Sequence, residues 1–343
     1  MLKKLIMKNN KKPFVLVTGA TGFLGRRIVS ALFARGFRVR VFVRKTSRIG
    51  IFEKHTVDIA VGNMGDLESL RLAFDGIDCV VHAAADTSGT GDGGKAITMN
   101  GTQNIINLCK TFRIKKLVYI SSVSVYGVAD YNDGDLVDED SPLERFPEKR
   151  GAYSNAKFQA EQIVLEAMRQ DECPITCLRP GTIYGQGGEI YTPMMGFSYK
   201  NKLFLTIGKG KFILPLVYVD NVADAVRAAI ENTVSNGRVY NLIDPYQLTK
   251  KQYIRLLMKK IYPGALFLNV PYRLLYLIVY IQGVLFNIIH IPAFLTRYRL
   301  ESSQKEIVYS GERVCLELDW IPPVSLESAL NRMIEHEMEK KNK

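Results

Sequence analysis

Three residues in the middle of the chain have side chains suited to moving a proton to or from a carbon-bound oxygen. Ser122 follows the apolar run that ends at Ile120, and Tyr153 and Lys157 come about thirty residues later in the segment YSNAK. Residues four apart share one face of a helix, so a helix through this segment places the phenol beside the ammonium group. A free tyrosine has a pKa near 10, and a neighbouring cation favours its phenolate. The trio predicts acid–base chemistry on a hydroxyl or carbonyl group, with Ser122 holding the oxygen.

The Tyr-x-x-x-Lys spacing by itself does not identify a site. Tyr246 and Lys250 have the same spacing and read as the start of a surface helix. What selects Tyr153 is its place in the chain, after a glycine-rich turn and after a strand that ends in serines. In a parallel sheet these parts meet at the carboxyl edge, where ligands bind.

The glycine-rich turn is the segment TGATGFLG at residues 18–25, which follows the apolar run 14–17. Gly19 suits a tight turn out of a strand, Gly22 lets the backbone approach a pyrophosphate, and Gly25 lets the next helix pack closely on the sheet. The helix N-terminus offers free N–H groups to the anion. The predicted phosphate-binding residues are Gly19, Thr21, Gly22, Phe23, Leu24 and Gly25.

The end of the second predicted strand bears on the choice of cofactor. An acidic residue there would bind the ribose 2′-hydroxyl and repel a 2′-phosphate. The chain instead has RKTSR at 44–48, and Arg44 offers a guanidinium group to a phosphate. This favours NADP(H), with NAD(H) as the alternative. The other interpretation of Arg44 is a solvated loop charge.

Short apolar runs alternate with helical patterns through the first half of the chain. Such alternation predicts an α/β fold with a parallel sheet covered by helices on both faces. The predicted strands lie at 14–17, 39–43, 57–61, 79–82 and 116–120, and the helices at 23–35, 67–74 and 96–112. In the second half, strands are predicted at 175–178 and 214–219 and helices at 221–231 and 249–261. The glycine cluster at 89–94 reads as a mobile loop.

These patterns divide the chain into a cofactor-binding domain and a substrate lobe. We assign 1–12 to a basic tail and 13–180 to an NADP(H)-binding domain, with later elements returning at about 214–242. Residues 181–213 and 243–330, which include the apolar segment 261–296, form the predicted substrate lobe. Residues 331–343 read as a charged C-terminal tail.

Composition excludes several classes of protein. The chain has 343 residues, of which 47 % are hydrophobic and 23 % charged, which does not fit a disordered, collagen-like or small disulfide-stabilised protein. The five cysteines are irregularly spaced, and neither they nor the four histidines form a metal-ligand pattern, so no metal is expected. The basic start lacks a long apolar run, which argues against a cleaved signal and for a cytoplasmic location.

With these motifs in place, the chain resembles the extended short-chain dehydrogenase/reductase superfamily over about residues 14–335. The resemblance rests on TGATGFLG, HAAA (82–85), NGT (100–102), SSVSVYG (121–127), YSNAK, LRPGTIYG (178–185) and VYVDNVADA (217–225). It implies a Rossmann-type doubly wound parallel sheet with a smaller, mostly C-terminal α/β substrate lobe, and Ser122, Tyr153 and Lys157 as the catalytic triad. It also implies cofactor contacts by Ala83, Ala84, Ala85, Asn100, Tyr153, Lys157, Pro180 and Gly181. Asn63 and Met64 stand where the family usually has Asp-Leu beside the adenine, so a charged contact is missing.

The resemblance also bears on the substrate. Sugar-nucleotide epimerases usually have an Asn where this chain has Thr182, whereas 291–296 and 318–326 are similar to the 3β-hydroxysteroid dehydrogenase branch. That branch implies hydride transfer between NADP(H) and a secondary alcohol or ketone of an apolar, steroid-like or long-chain molecule. A sugar-nucleotide epimerase or dehydratase is the alternative, and a non-catalytic NADP-binding sensor or scaffold is a third possibility. Superfamily members often form homodimers through helices that correspond to 96–112 and 152–169.

The second half of the chain is basic and partly apolar. The net charge is +12, and residues 274–296 contain no Asp, Glu, Lys or Arg. Three interpretations stay open: a helix lying flat on the inner face of a membrane through 265–296, an apolar lobe wall or dimer contact, and a true span. Flat contact would hold Tyr272, Tyr276 and Tyr280 at headgroup depth. The sequence has no basic helix with interleaved aromatic residues, so a nucleic-acid partner is not expected.

Overall fold

The computed structural model describes residues 12–52, 56–85, 91–171, 173–246, 248–288 and 295–342. The strands are β1 (Phe14–Thr18), β2 (Arg38–Val43), β3 (Asp58–Val61), β4 (Cys79–His82), β5 (Lys116–Ile120), β6 (Leu136–Val137), β7 (Ile175–Pro180), β8 (Thr182–Tyr184), β9 (Gly196–Tyr199), β10 (Leu203–Ile207), β11 (Ile213–Leu214), β12 (Leu216–Tyr218), β13 (Arg238–Leu242), β14 (Leu248–Thr249), β15 (Leu266–Val270) and β16 (Val308–Tyr309).

The helices are α1 (Phe23–Ala34), α2 (Leu67–Ala73), α3 (Gly91–Thr111), α4 (Ala152–Arg169), α5 (Val219–Glu231), α6 (Lys250–Tyr253), α7 (Lys259–Ile261), α8 (Tyr272–Ile288), α9 (Arg297–Gln304), α10 (Glu312–Leu318) and α11 (Leu326–Lys341). A π-helical segment, Ile254–Met258, joins α6 to α7.

The centre of the molecule is a seven-stranded parallel sheet in the order β13-β7-β5-β4-β1-β2-β3. Its central strands are buried along their whole length, as expected for a sheet covered on both faces. The strand order reverses between β1 and β4, which creates a crevice at the carboxyl edge. This confirms the predicted α/β class and the Rossmann-type architecture.

One hydrophobic cluster lies on each face of this sheet. On one face, α1 and α5 pack together through residues such as Ile28, Leu32 and Val226. On the other face, α3 and α4 pack together through residues such as Ile105 and Val164. The site elements that follow the strands are therefore fixed from both sides.

The lobe formed by the second half is built from small sheets around a third cluster. β9, β10 and β15 form a three-stranded sheet, and Phe204 of β10 packs with Leu257 and Met333. The predicted strand 214–219 is two short strands, β11 and β12, which pair with β14 and β8 outside the main sheet. The domain boundaries proposed above stay a prediction.

One prediction about a mobile segment differs from the structure. The predicted glycine loop extends into α3, which begins at Gly91, and residues 86–90 lie outside the described part. The charged C-terminal segment is the helix α11, which buries Met333 and Glu337 against the lobe. A helix with apolar residues on one side can carry many charges and still pack, because its charges face outward.

The apolar segment 261–296 contains β15 and α8, and residues 289–294 lie outside the described part. No helix among the described residues has both the length and the apolar character needed to cross a bilayer. Of its three tyrosines, Tyr272 and Tyr276 are half-buried and pack around Val279, whereas Tyr280 is exposed; their depth at a membrane stays a prediction.

The two helices expected at a dimer interface, α3 and α4, have polar outward faces in the described part. From Thr98 onward, the exposed side chains of α3 are Asn100, Gln103, Asn107, Lys110 and Thr111, and Glu166 and Arg169 are exposed near the end of α4. The homodimer stays a prediction.

Candidate active site

Ser122 and Tyr153 lie together at the carboxyl edge of the main sheet. Ser122 begins a short 3₁₀ turn after β5, and its Oγ accepts the N–H of Ser124 at 3.1 Å, so its own proton is free to donate elsewhere. Tyr153 is in the first turn of α4 and stays 37 % exposed. A hydrogen bond joins the Ser122 hydroxyl to the Tyr153 phenol, so the two hydroxyls lie side by side.

The ionisation of Tyr153 differs from the expectation drawn from the sequence. Desolvation raises the pKa of the phenol above its ordinary value, and the hydrogen bond from Ser122 opposes that rise only in part. Lys157 is buried and its Nζ donates to the carbonyl oxygen of Ile120 at 2.7 Å. Burial lowers the pKa of this lysine to about 8, although the charges of Cys177 and Glu161 favour the ammonium form. The protein groups alone therefore keep Tyr153 protonated, as a proton donor requires.

A segment of the lobe packs beside the start of α4. Gly151 precedes this helix with φ +98°, and a Cβ there would lie 3.2 Å from the guanidinium of Arg299 in α9. Tyr298, also in α9, donates its hydroxyl to Glu144 at 2.5 Å, and Arg150 donates to the other oxygen of the same carboxylate at 3.1 Å. α9 is thereby held against the loop that leads into the catalytic helix.

A buried ion pair behind the site was not anticipated from the sequence. Arg179, at the end of β7, donates to Glu161 of α4 at 2.6 Å, and both side chains are almost fully buried. Arg179 also donates to the hydroxyl of Tyr126, and Ser121 donates to Glu161. The sequence could have indicated a role for Glu161, because this residue follows Lys157 by one helical turn. The pair ties α4 to the sheet and so fixes where Tyr153 lies.

The glycine turn has the close approaches that its spacing predicts. Gly19 has φ +70°, and a Cβ there would lie 2.7 Å from the backbone of Ala83 and Ala84 after β4. A Cβ on Gly25 would lie 2.0 Å from the carbonyl oxygen of Gly19. Only glycine fits either position.

The start of α1 fits a pyrophosphate group. Gly22 is the N-cap residue, it is exposed, and no side chain caps the helix. The first N–H groups of a helix have no partner within the helix, so those of Phe23 and Leu24 face the crevice beside Thr21. Among the described residues, a Cβ on Gly22 would meet just the oxygen of Gly19, at 3.2 Å. The glycine cradle thus fits a dinucleotide.

A buried chain of hydrogen bonds holds the turn in place. Thr18 accepts the N–H of Ala84 at 3.4 Å and contacts Nδ1 of His82 at 2.7 Å, so its hydroxyl proton points to that nitrogen. Nε2 of His82 then donates to Thr102 at 3.1 Å, and Thr102 donates to the carbonyl oxygen of Thr98. Burial, with a smaller contribution from Lys157, lowers the pKa of His82 to about 3. The neutral imidazole links β1, β4 and α3.

Arg44 and Asn63 lie at the carboxyl ends of neighbouring strands. Arg44 is exposed after β2, next to β1 in the sheet, on the side where the ribose of a dinucleotide would lie. Asn63 follows β3, and its Oδ1 accepts the N–H of Gly65 at 3.1 Å, so one lone pair is already used. Met64 packs against Gly101 of α3, which fixes the wall of this region.

The remaining predicted cofactor residues divide into two groups. Ala83, Ala84 and Ala85 follow β4 beside the glycine turn, and Pro180 ends β7 at the same edge. Gly181 is required by packing, since a Cβ there would lie 2.1 Å from the carbonyl oxygen of Pro215. Asn100 lies on the exposed side of α3, whereas Thr98 and Thr102 of the same helix are buried. The cofactor contact of Asn100 stays a prediction.

Comparison with known proteins gives reductases and epimerases as relatives. The 4-hydroxy-2-methyl-3-oxo-4-farnesyl-3,4-dihydroquinoline-1-oxide ketoreductase of Stigmatella aurantiaca is 29 % identical over 259 residues, covering 75 % of this chain and 76 % of the relative. The N-acetyl-alpha-D-glucosaminyl-diphospho-ditrans,octacis-undecaprenol 4-epimerase of Escherichia coli O157:H7 is 24 % identical over 334 residues, covering 94 % and 95 %.

A solved structure has the same fold over nearly the whole chain. The UDP-glucose 4-epimerase of Thermus thermophilus, in complex with NAD, superposes with a TM-score of 0.69 at 20 % identity and covers 95 % of this chain and 99 % of that protein. Residues 15–242 match the sequence profile of the NAD dependent epimerase/dehydratase family. This match spans the glycine turn, the candidate catalytic residues and all seven strands of the main sheet, and the chain belongs to that family.

Proposed function

We propose that this protein is an NADP(H)-dependent oxidoreductase that interconverts a secondary alcohol and a ketone on an apolar substrate. The observation that carries the proposal is the placement of the Ser122 and Tyr153 hydroxyls together at the carboxyl edge, beside a glycine cradle that fits a dinucleotide. A non-catalytic sensor would not need these two hydroxyls side by side at the crevice.

The roles of the residues follow from their protonation. Ser122 donates a hydrogen bond to the substrate oxygen, and Tyr153, which is kept protonated, gives its proton to that oxygen during reduction. With NADPH bound in the glycine cradle, the carbonyl carbon would receive a hydride from the cofactor and its oxygen the proton of Tyr153, which balances the reduction. Lys157, held by Ile120, provides the positive charge that stabilises the phenolate left behind. Residues 19–25 hold the pyrophosphate.

The preference for NADP(H) rests on Arg44, which is exposed where the ribose phosphate would lie. Arg44→Asp should lower the ratio of NADPH to NADH affinity by more than about tenfold, because a carboxylate repels the 2′-phosphate. Fluorescence titration of both cofactors measures this ratio. Arg48→Asp, four residues further on, is the matched control, and an unchanged ratio in Arg44→Asp would assign the arginine to the solvated surface.

The proposal of an apolar substrate is supported by two observations. The ketoreductase relative is named for a farnesylated ketone, and the chain has Thr182 where sugar-nucleotide epimerases usually have an Asn. The direct test is NADPH consumption with steroid-like ketones and long-chain β-keto compounds. We expect turnover with a member of this set, and stoichiometric alcohol formation by mass spectrometry.

The second candidate is an epimerase, favoured by the relative that acts on an undecaprenyl-linked sugar. A transient oxidation by the same Tyr and Lys would begin that reaction. Incubation with nucleotide sugars or polyprenyl-linked sugars distinguishes the two, since an epimerase gives an isomerised product without net loss of the reduced cofactor. Such a product, with no NADPH consumed on any ketone, would replace the first candidate.

A further inference from the structure

An exposed apolar surface extends over the small sheet and α8 of the lobe. In the sheet, Tyr199 lies opposite Leu203, which lies opposite Leu266; Phe197 lies opposite Leu205, which lies opposite Leu268. Cross-strand partners point to the same side, so six apolar side chains share one face. Four of them are exposed, and the two on β10 are half-buried.

The helix α8 continues this surface. Only Pro271 separates it from β15, and its Val279 packs with Ile207, which points to the same side of β10 as Leu203 and Leu205. The opposite arc of the helix has seven side chains that are each 46–68 % exposed: Leu274, Leu277, Ile278, Ile281, Val284, Leu285 and Ile288. We call these seven residues and the six sheet residues the apolar face. A face of this size on a monomer marks a binding surface.

The two sequence segments that build the apolar face carry only positive charges, although Glu301 of α9 lies near Tyr272 at the start of α8. Residues 190–219 and 245–300 contain twelve Lys and Arg and no Asp or Glu. The rest of the chain has 34 basic and 34 acidic residues, so the whole net charge of +12 belongs to these two segments. Lys200 lies 5.3 Å from the ring of Tyr199, and Arg297 lies 5.2 Å from the ring of Tyr280, so cations stand at the border of the apolar face. Lys202, Lys209 and Arg273 are exposed close by in sequence.

We propose that the apolar face docks on the surface of an anionic lipid membrane. An exposed aliphatic helix arc bordered by lysine and arginine matches the boundary between acyl chains and headgroups, and it buries the helix lengthwise instead of across the bilayer. The absence of acidic residues from both segments favours anionic lipid over a second copy of this chain, since two such faces would repel each other. The docking does not depend on which substrate the site takes.

The test is sedimentation of the full chain with phosphatidylcholine vesicles, with and without phosphatidylglycerol. We expect binding to the anionic vesicles that weakens as salt is added. Ile278→Ser/Ile281→Ser/Leu285→Ser should lower the bound fraction by more than about tenfold. Its control is Leu72→Ser/Leu316→Ser/Ile321→Ser, three substitutions of even more exposed aliphatic residues elsewhere, which should bind as the parent does.

Two charge-reversal variants test whether vesicle binding requires the positive charges beside the apolar face. Lys200→Glu/Lys202→Glu should weaken binding to anionic vesicles at low salt, whereas Lys110→Glu/Arg113→Glu, with the same change of charge on the other side of the molecule, should not. Circular dichroism and NADPH titration check that each variant is folded. No binding to anionic vesicles, or equal binding by the α8 variant, would overturn the proposal. A concentration-dependent dimer that this variant abolishes would assign the face to a second copy instead.

Discussion

The carboxyl edge of the main sheet buries polar side chains, whereas the apolar face of the lobe exposes aliphatic ones. At the edge, charged and polar side chains are buried, and each has a specific partner: Glu161 with Arg179, and His82 with Thr18 and Thr102. At the face, aliphatic side chains are exposed although the core of the lobe is well filled. Burial of polar groups costs free energy unless they are paired, and exposure of aliphatic groups costs free energy unless they bind something. Each region departs from ordinary packing where a function is expected.

The largest expected effect is a loss of turnover after a substitution at the carboxyl edge. Tyr153→Phe should lower kcat by about 10²- to 10⁴-fold, because the proton donor is removed while the cofactor cradle is intact. NADPH affinity, measured by fluorescence, should stay close to that of the parent. Tyr280→Phe, which removes a hydroxyl from the exposed lobe, should change neither. A large loss of NADPH affinity in Tyr153→Phe would contradict its assigned role.

The second largest effect is expected on stability, when the buried ion pair is broken. Glu161→Gln should lower the free energy of unfolding by about 3–5 kcal/mol, because the buried guanidinium of Arg179 loses its counter-charge. Urea unfolding measures this value. Glu166→Gln changes the exposed pair with Arg169 on the same helix and should leave the midpoint unchanged. Equal midpoints for both variants would mean that the pair does not hold α4.

Acid should weaken the chain of hydrogen bonds at the glycine turn. His82 has its pKa lowered to about 3 in the folded protein, so the unfolded chain binds more protons between that value and about 6.5. Its contribution to stability is therefore complete above about pH 6.5 and falls as the pH falls, by about 3 kcal/mol at about pH 4.5. His82→Gln should have a flatter dependence over this range in urea titrations at several pH values. Parallel curves for parent and variant would exclude this role.

The smallest expected effects are on stability, and they should differ between the buried and the exposed side of α8. Val279→Ala removes a side chain that is 3 % exposed and should cost about 2 kcal/mol. Ile281→Ala, on the exposed arc two residues later, should stay within about 0.5 kcal/mol in the absence of lipid. Urea midpoints of both variants test this. A large cost for Ile281→Ala would show that the apolar face is covered within the protein.

Local sequence patterns predicted most features of the cofactor-binding domain. Gly19 and Gly25 follow from the steric demands of a strand–turn–helix unit, and the burial of both faces of the sheet follows from its continuous apolar strands. Spacing within one helix also predicted that Tyr153 and Lys157 share a face. These features depend on residues close together in the sequence.

What the sequence could not predict depends on contacts between distant segments. Glu161 and Arg179 are joined only when α4 packs against β7, and the environment of His82 is assembled from β1, β4 and α3. The partial burial of Tyr272 and Tyr276 depends on the packing of α8 against Ile207, whereas Tyr280 of the same helix is exposed. The pKa of Tyr153 likewise depends on burial, which spacing does not report.

The confinement of all excess positive charge to two segments has an electrostatic consequence before any contact is made. A molecule that is neutral over most of its chain and strongly cationic in residues 190–219 and 245–300 has a large permanent dipole moment. A field from any negatively charged surface within about a Debye length exerts a torque that turns the cationic end forward. Encounters with such a surface are thus pre-oriented, and their rate falls steeply with ionic strength.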